Sequence, residues 1–271
     1  MTSSSIRVCL AGATGWAGSA LAHAIAKLDD ITVVSAVSRT HAGKTLDEVL
    51  AEPNLTCSIY ASAQEALTTH ECDVFVEFTK PDVVKTNVLA ALKHGAHVVV
   101  GTSGLTDEDY AEIASAAEKA QRGVLAVGNF ALTVVLLQKF AEIAAKFIPQ
   151  WEIIDYASDG KKDSPSGTVR ELANRLSNVR PSELTVPLEE TQGVKETRGA
   201  RMTGSQVHSL RLPSYTISAE VIFGMPDQRL TIRHDSGTSA QPYVDGSLLA
   251  IRKVSSFTGL RRGLDNVLDL S

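Results

Sequence analysis

The sequence predicts an α/β protein: a Rossmann-type doubly wound parallel sheet, followed by an α+β domain with an open mixed sheet. Strand-like and helix-like segments alternate over residues 1–130, and the strands there are nearly continuous apolar runs. After residue 130, the strands alternate apolar and polar residues with a period of two. Continuous apolar strands are typical of parallel sheets covered on both faces, whereas alternation indicates a sheet with one open face.

The first domain is predicted from five buried strands and three helices. The strands are expected at residues 6–10, 31–37, 73–78, 97–100 and 124–127. An Ala-rich helix is expected at residues 18–28, and two further helices at 82–94 and 107–121, where apolar residues recur at spacings of three and four. The third helix begins with acidic residues, which suit the positive end of a helix dipole.

The second domain begins with a long apolar helix at residues 132–147 and a strand at 151–157. A helix at 166–176 follows Pro165, and the polar segment 177–204 is expected to be a mobile loop. Strands at 206–212, 216–223 and 229–234 are expected to form an open antiparallel sheet. A helix at 244–254 and an apolar tail at 264–270 are expected to return to the first domain. The predicted domains are therefore 1–130 with 240–271, and 131–239.

Composition excludes several classes of function. The 271 residues carry a formal charge of −5, which leaves no basic excess for nucleic acid. No apolar run approaches the roughly 18 residues that a membrane span needs. The first residues are small and polar, so no secretory signal is expected. Three scattered cysteines indicate neither a disulfide framework nor a zinc site, and no metal-ligand spacing is present. We expect a soluble, cytoplasmic protein without a metal.

Glycines at positions 12, 15 and 18 stand between the first strand and the first helix. This G-x-x-G-x-x-G spacing favours dinucleotide binding, because it permits a tight turn, a close approach of backbone to pyrophosphate and close helix packing. The alternative is a plain tight turn. The predicted cofactor-binding residues of this turn are Gly12, Ala13, Thr14, Gly15, Trp16 and Ala17.

The end of the second strand indicates which dinucleotide binds. An acidic residue there would favour NAD, but this chain has Ser38, Arg39 and Thr40. A guanidinium and two hydroxyl groups suit the 2′-phosphate of NADPH, so NADPH is expected, with NADH as the alternative cofactor. Arg39 has two other interpretations: it stacks on the adenine, or it is a solvated surface residue.

Three further turns follow strands of the same sheet. Because ligands of open α/β sheets bind beyond the carboxyl ends of the strands, these turns are predicted to line the nicotinamide. For the last turn, an interdomain hinge is a compatible interpretation. The residues concerned are Phe78, Thr79, Gly101, Thr102, Ser103, Asn129 and Phe130.

The segment from Lys161 to Thr168 is the candidate substrate site. Ser166, Gly167 and Thr168 open a helix, whose free N–H groups and hydroxyls suit an anion. Lys161 and Lys162 precede them and add positive charge. This arrangement predicts a site for a carboxylate of a small acidic substrate, and the alternative is a solvated loop.

Taken together, these motifs resemble the 4-hydroxy-tetrahydrodipicolinate reductase (dihydrodipicolinate reductase) family of bacterial lysine biosynthesis. The resemblance covers nearly the whole chain. Its motifs lie in order at residues 12–18, 77–81, 101–104, 128–131, 161–168, 207–212, 230–236 and 264–270. It implies hydride transfer from NAD(P)H to a small cyclic carboxylated imine, a homotetramer formed by the second domain, and a substrate-binding or catalytic role for Lys161.

One departure from the family pattern concerns the proton donor. The family's substrate loop reads E-x-H-H-x-x-K-x-D-x-P-S-G-T, and its first histidine is the proposed donor. Ala157 and Ser158 occupy the two histidine positions here, and no histidine lies between His97 and His208. Loss of a positioned general acid costs about 10²–10⁴-fold in rate. The proton would then come from Lys161, Lys162, Tyr156 or water, or the chain reduces a different substrate.

His208 and His234 lie on predicted strands, where a structural role is expected for both.

Two classes of function remain open at this point: an imine reductase with the family's substrate or a divergent one, and a non-catalytic NADP-binding sensor. The carboxylate site favours the reductase, because a sensor has no need of one. Cofactor oxidation with an added imino acid distinguishes the two classes.

Overall fold

The computed structural model describes residues 5–269 of the chain. These residues form two compact units. The first comprises the described residues up to Leu132 together with those from Ala240 onward, and the second comprises Thr133–Ser239. Within residues 5–269, none of the helices has both the length and the apolar character that crossing a membrane requires.

The first unit contains a seven-stranded sheet in which every neighbouring pair is parallel. Its strands are β1 (Ile6–Ala11), β2 (Ile31–Val37), β3 (Ile59–Tyr60), β4 (Val74–Glu77), β5 (His97–Val100), β6 (Gly123–Ala126) and β12 (Gly259–Arg262). Their order across the sheet is β12-β6-β5-β4-β1-β2-β3. The predicted doubly wound parallel sheet is thus confirmed.

Six α-helices lie wholly within the described part of the first unit. They are α1 (Trp16–Ile25), α2 (Leu46–Leu50), α3 (Ala63–Thr69), α4 (Val84–Lys93), α5 (Asp107–Ala120) and α8 (Val244–Lys253). Cys9 and Cys72 are both buried in this unit's apolar core, where they pack as small hydrophobic residues.

Several elements of the first unit were not predicted. The segment between β2 and β4 contains α2, β3 and α3, which are too short to show a hydrophobic period. Strand β12 is Gly-Leu-Arg-Arg and has no apolar run, yet it pairs with β6 at the edge of the sheet. The predicted tail at 264–270 contains a 3₁₀ turn, Leu264–Val267, and its last residue lies outside the described part of the chain.

The second unit contains a mixed five-stranded sheet and two helices. The strands are β7 (Gln150–Ala157), β8 (Ala200–Met202), β9 (Ser205–Arg211), β10 (Ile217–Met225) and β11 (Gln228–Ser236), in the order β11-β10-β7-β9-β8. The helices are α6 (Leu132–Ala145) and α7 (Gly167–Ser177). Side chains such as Leu137, Trp151 and Leu172 form the core between helices and sheet.

Two predictions for this unit need correction. The three strands after residue 205 do not form one antiparallel series, because β7 lies between β9 and β10 and pairs with β9 in parallel. The predicted loop at 177–204 contains two 3₁₀ turns and ends in β8, which pairs with β9. The strand order arises because β7 pairs with β9 and β10, which are distant in sequence, and local periodicity does not reveal such pairings. Strand β8 instead forms a hairpin with β9 across Thr203 and Gly204, and its three residues are too few to show a period.

Candidate active site

The turn between β1 and α1 requires glycine at two positions. Gly12 has a φ of +80°, and a Cβ atom on it would lie 2.2 Å from the carbonyl oxygen of Phe78. A Cβ atom on Gly18 would lie 2.1 Å from the carbonyl oxygen of Gly12. Helix α1 begins at Trp16, earlier than predicted, and its N-cap Gly15 makes no side-chain cap. The first N–H groups of α1 are thus open to an anion, and the close backbone approach suits a dinucleotide.

The end of β2 presents hydroxyl groups, an imidazole and a guanidinium. The Oγ atom of Ser38 lies 2.8 Å from Thr14 Oγ1 and 3.3 Å from Thr40 Oγ1. His41 Nδ1 lies 3.0 Å from Thr40 Oγ1, and Arg39 is exposed. His41 was not among the predicted site residues, although it stands in the same turn, directly after Thr40.

The turns after β4, β5 and β6 lie at the same edge of the sheet, because the three strands are neighbours and parallel. The rings of Phe78 and Phe130 pack edge to face, with centroids 5.3 Å apart. A Cβ atom on Gly101 would lie 2.3 Å from the Phe78 ring, so glycine permits this packing. Asn129 Oδ1 accepts a hydrogen bond of 2.9 Å from the N–H of Ala131. The structure thus brings Phe78, Gly101 and Phe130 of these turns together.

The buried side chain of Glu77 was not among the predicted site residues. Its Oε1 accepts hydrogen bonds from the N–H of Thr79 at 2.9 Å, from the Thr79 hydroxyl and from the Thr102 hydroxyl at 3.3 Å. Its Oε2 accepts from Asn87 Nδ2 at 2.8 Å. Burial raises the pKa of Glu77, and the hydrogen bonds from Thr79, Asn87 and Thr102 oppose that rise.

The start of α7 in the second unit has the predicted geometry. Ser166 is the N-cap, and its Oγ accepts a hydrogen bond of 3.3 Å from the N–H of Val169. Gly167 and Thr168 are the first helical residues, and Gly167 is exposed. An anion can therefore approach the N–H groups of this first turn.

A buried ion pair supports the segment that leads into α7. Asp155 is completely buried, and its Oδ2 accepts from Arg211 Nη2 at 2.7 Å and from the N–H of Ser166 at 2.8 Å. Arg211 Nη2 also donates to the carbonyl oxygen of Asp163 at 2.8 Å. The pair therefore holds both ends of residues 163–166. Neither Asp155 nor Arg211 was a predicted site residue, because their contact depends on the pairing of β7 with β9.

Lys161 and Lys162 differ in their surroundings. Lys161 Nζ lies 2.8 Å from Asp163 Oδ1, and its side chain is 26% exposed. The hydrogen bond from Lys161 lowers the pKa of the Asp163 carboxyl. Lys162 is exposed. Of the two lysines, Lys161 is therefore the one held in a defined position.

Ala157 and Tyr156 stand at or beside the position of the family's proton donor, and the structure shows the surroundings of both. Ala157 is completely buried and lies beside Arg211 in the register of β7 and β9. Tyr156 donates a hydrogen bond of 2.8 Å to Glu220 Oε2, and burial raises its pKa to about 12. A general acid works best with a pKa near the operating pH, so Tyr156 is a poor proton donor.

The two histidines that were predicted to be structural, His208 and His234, both lie within hydrogen-bond distance of a side chain. His208 Nε2 lies 2.7 Å from Glu152 Oε2. His234 is 5% exposed, and its Nδ1 lies 2.9 Å from Thr133 Oγ1. Burial lowers the pKa of His234, which favours its neutral form. Within residues 5–269, no group of three or more His, Cys, Asp or Glu side chains is arranged to hold a metal ion.

Two protein-family models match the chain. The model described as "Dihydrodipicolinate reductase, N-terminus" matches residues 6–130, and the model described as "Dihydrodipicolinate reductase, C-terminus" matches residues 133–268. The second match runs past Ala240, from where the described chain packs with the first unit.

Relatives with known names agree with these matches. The 4-hydroxy-tetrahydrodipicolinate reductase of Oceanobacillus iheyensis is 36% identical over 264 residues, 97% of this chain and 99% of the relative. The protein of that name from Listeria monocytogenes is 34% identical, over 97% of this chain and all of the relative. A dipicolinate-bound dihydrodipicolinate reductase from Paenisporosarcina superposes with a TM-score of 0.87 at 30% identity, over 97% of this chain and 100% of that chain.

Proposed function

The chain belongs to the dihydrodipicolinate reductase family, whose members are NAD(P)H-dependent reductases of lysine biosynthesis, and we propose that it reduces 4-hydroxy-tetrahydrodipicolinate with NADPH. This proposal rests on the candidate substrate site from Lys161 to Thr168. Lys161 and the Ser166-capped start of α7 stand at the family's motif positions, and a buried ion pair supports them. A chain that no longer bound a carboxylated substrate would have no need of this support.

NADPH is the proposed cofactor, and it supplies the hydride when bound. The open N-terminus of α1 and the glycine turn would hold the pyrophosphate. Arg39, with the hydroxyl groups of Ser38 and Thr40, would hold the 2′-phosphate. His41 extends this polar cluster. The turns at Phe78–Thr79, Gly101–Ser103 and Asn129–Phe130 would line the nicotinamide.

The substrate would bind through a carboxylate at the first turn of α7. The N–H groups of Gly167 and Thr168 and the Thr168 hydroxyl would donate to it, and Lys161 would contribute its charge. Because Lys161 already pairs with Asp163, the substrate carboxylate would compete with Asp163 or share the ammonium with it.

Lys161 is also the proposed source of the proton that the reduced substrate must receive. Ala157 cannot donate one, and Tyr156 is committed to Glu220 with a raised pKa. Lys161 would donate its proton directly or orient a water molecule that does so, and solvent would then restore the ammonium. Lys162 and unassisted water are the remaining sources.

A divergent imine reductase is the second candidate function, because Ala157 and Ser158 stand in place of the family's two histidines. The non-catalytic sensor that the sequence left open is set aside, because the relatives matched over the whole length are reductases. A cytoplasmic location remains an expectation from the sequence.

Kinetics with a panel of cyclic imines test the proposal. The purified protein is given NADPH and either 4-hydroxy-tetrahydrodipicolinate or six-membered cyclic imines with one carboxylate, and the loss of NADPH absorbance is followed. We expect kcat/KM to be at least about tenfold higher on the dicarboxylate, because unpaired site groups penalise the poorer substrate. A preference for a monocarboxylated imine would instead favour the divergent reductase.

A further inference from the structure

Glu77 is the last residue of β4, and its buried carboxyl group connects three separate segments. It accepts from the backbone and hydroxyl of Thr79 in the following turn, and from the hydroxyl of Thr102 in the turn after β5. It also accepts from Asn87 in α4. Four donors thus converge on one carboxyl group that is 0% exposed. An apolar residue here would remove the acceptor of the Thr79 and Asn87 donors, whereas the Thr102 hydroxyl would keep the backbone carbonyl oxygen of residue 77 at 3.3 Å.

Of the two turns that Glu77 connects, the one at Phe78–Thr79 is in contact both with the glycine turn and with the other turn. The carbonyl oxygen of Phe78 lies against Gly12 so closely that a Cβ atom there would be 2.2 Å away. The Phe78 ring lies against Gly101. Neither contact leaves spare space. A shift of the turn at Phe78–Thr79 would therefore displace both the backbone at Gly12 and the turn at Gly101–Thr102.

The Glu77 carboxyl group cannot contact a substrate or cofactor directly. Its side chain is enclosed, and both carboxyl oxygens are occupied by donors from the protein. Transfer of a proton to a bound imine would need an exposed oxygen within hydrogen-bond reach. The carboxyl group can act on the reaction only through the residues that it holds.

We propose that Glu77 is a positioning residue for the nicotinamide end of the cofactor, which it sets by holding the turns at Thr79 and Thr102 in one arrangement. This inference rests on the proposed function, in which those turns line the nicotinamide. The adenosine end lies with Ser38 and Arg39 after β2, which Glu77 does not contact. Loss of the carboxyl group should therefore weaken binding of the nicotinamide half selectively.

Binding measurements with NADPH and with adenosine 2′,5′-bisphosphate, which lacks the nicotinamide half, test this. We expect Glu77→Ala to weaken NADPH binding by about tenfold, from the loss of several hydrogen bonds, and to leave binding of the bisphosphate within about twofold. Asn87→Ala removes a single donor outside both turns and should give the same selectivity with a smaller loss. Glu71→Gln alters an exposed carboxyl of the same unit, 90% exposed at the side chain, and serves as the control that changes neither affinity.

Glu77→Gln separates positioning from charge. The glutamine oxygen can accept from Thr79 and Thr102, and Asn87 can turn its amide so that its oxygen accepts from the new NH₂ group. We expect Glu77→Gln to retain NADPH affinity within about twofold of the unmodified protein. If it is as weak as Glu77→Ala, the site uses the charge and the positioning role is overturned.

Kinetics provide a second readout. A displaced nicotinamide should slow the hydride step, so the primary isotope effect measured with NADPH deuterated at C4 should rise in Glu77→Ala. Equal weakening of NADPH and the bisphosphate in both Glu77→Ala and Asn87→Ala would overturn the inference, as would no weakening of either. The binding experiment needs no imine. Selective weakening without turnover of 4-hydroxy-tetrahydrodipicolinate would therefore refute the proposed substrate and leave this inference standing.

Discussion

At the scale of single residues, the ion pair between Lys161 and Asp163 fixes the position of the ammonium group that we propose binds the substrate. Their atoms lie 2.8 Å apart, so the Lys161 ammonium is oriented before any substrate binds. Its neighbour Lys162 is exposed and makes a matched comparison, because it carries the same charge one position away.

Lys161→Ala should lower kcat and raise KM for the imine together, and leave NADPH affinity nearly unchanged. The expected loss in kcat/KM is about 10²-fold or more, since one group both binds and protonates. Lys162→Ala should stay within about threefold of the unmodified protein, as an exposed charge contributes little. Steady-state kinetics and NADPH titration provide the numbers. A Lys161→Ala loss below about twofold, roughly 0.5 kcal/mol, would remove Lys161 from the catalytic role.

Arg39 is the residue that should decide between NADPH and NADH. It is exposed at the end of β2, beside the hydroxyl cluster of Ser38 and Thr40. Charge-assisted hydrogen bonds contribute about 1.5–3 kcal/mol, so Arg39→Ala should weaken NADPH binding by about 10–100-fold and NADH binding hardly at all. Lys44→Ala, at an exposed cation in the following turn, is the control. Fluorescence titration measures the affinities of the three proteins for both cofactors, and equal affinity of the unmodified protein for NADPH and NADH would contradict the prediction.

At the scale of elements, the parallel pairing of β7 and β9 brings Asp155 and Arg211 together below the start of α7. Removing one partner of a buried ion pair leaves an uncompensated charge, which costs about 3–5 kcal/mol. The same pair holds Ser166 and the carbonyl oxygen of Asp163, so its loss should also disturb the substrate segment.

Arg211→Met should therefore lower the free energy of unfolding by several kcal/mol and raise KM for the imine, with little change in NADPH affinity. Arg252→Met makes the same substitution at an ion pair with Asp30, whose carboxyl is half exposed, and should cost less than about 1 kcal/mol. Urea unfolding compares the two variants. Equal free energies of unfolding for Arg211→Met and Arg252→Met would show that the buried ion pair does not contribute more to stability than the exposed one.

At the scale of the whole molecule, the open sheet of the second unit predicts self-association. Strand β11 is a nine-residue edge strand, and most of its residues are exposed. Long exposed edges and open sheet faces are usually covered, and homo-oligomers cover them by symmetry. The family resemblance implies a tetramer formed here, and we retain that as a proposal.

Light scattering at micromolar concentration should therefore give the mass of a tetramer. Ile222→Arg places a charge on the side of β10 that faces away from the core, next to Thr231 of β11, and should lower the mass. Ala111→Arg, at an exposed site on α5 in the first unit, should leave it unchanged. A monomeric unmodified protein would contradict the prediction directly.

The sequence alone determined those features whose cause is local. Strands β2 and β5 lie at the predicted bounds, because buried parallel strands are continuous apolar runs. The glycine requirement at positions 12 and 18 and the helix start at Ser166–Thr168 followed from turn and capping chemistry. The family's motifs indicated the reductase family for the same reason, because each motif is a short run of neighbouring residues.

Only the tertiary structure decided the features that depend on contacts between distant segments. Strand β12 has no apolar run and forms because it pairs with the distant strand β6 at the edge of the sheet. Glu77 meets Thr102, and Asp155 meets Arg211, only after neighbouring strands have paired. No local pattern encodes such partners, because the free energy that holds them comes from burial and hydrogen bonding in the assembled sheets.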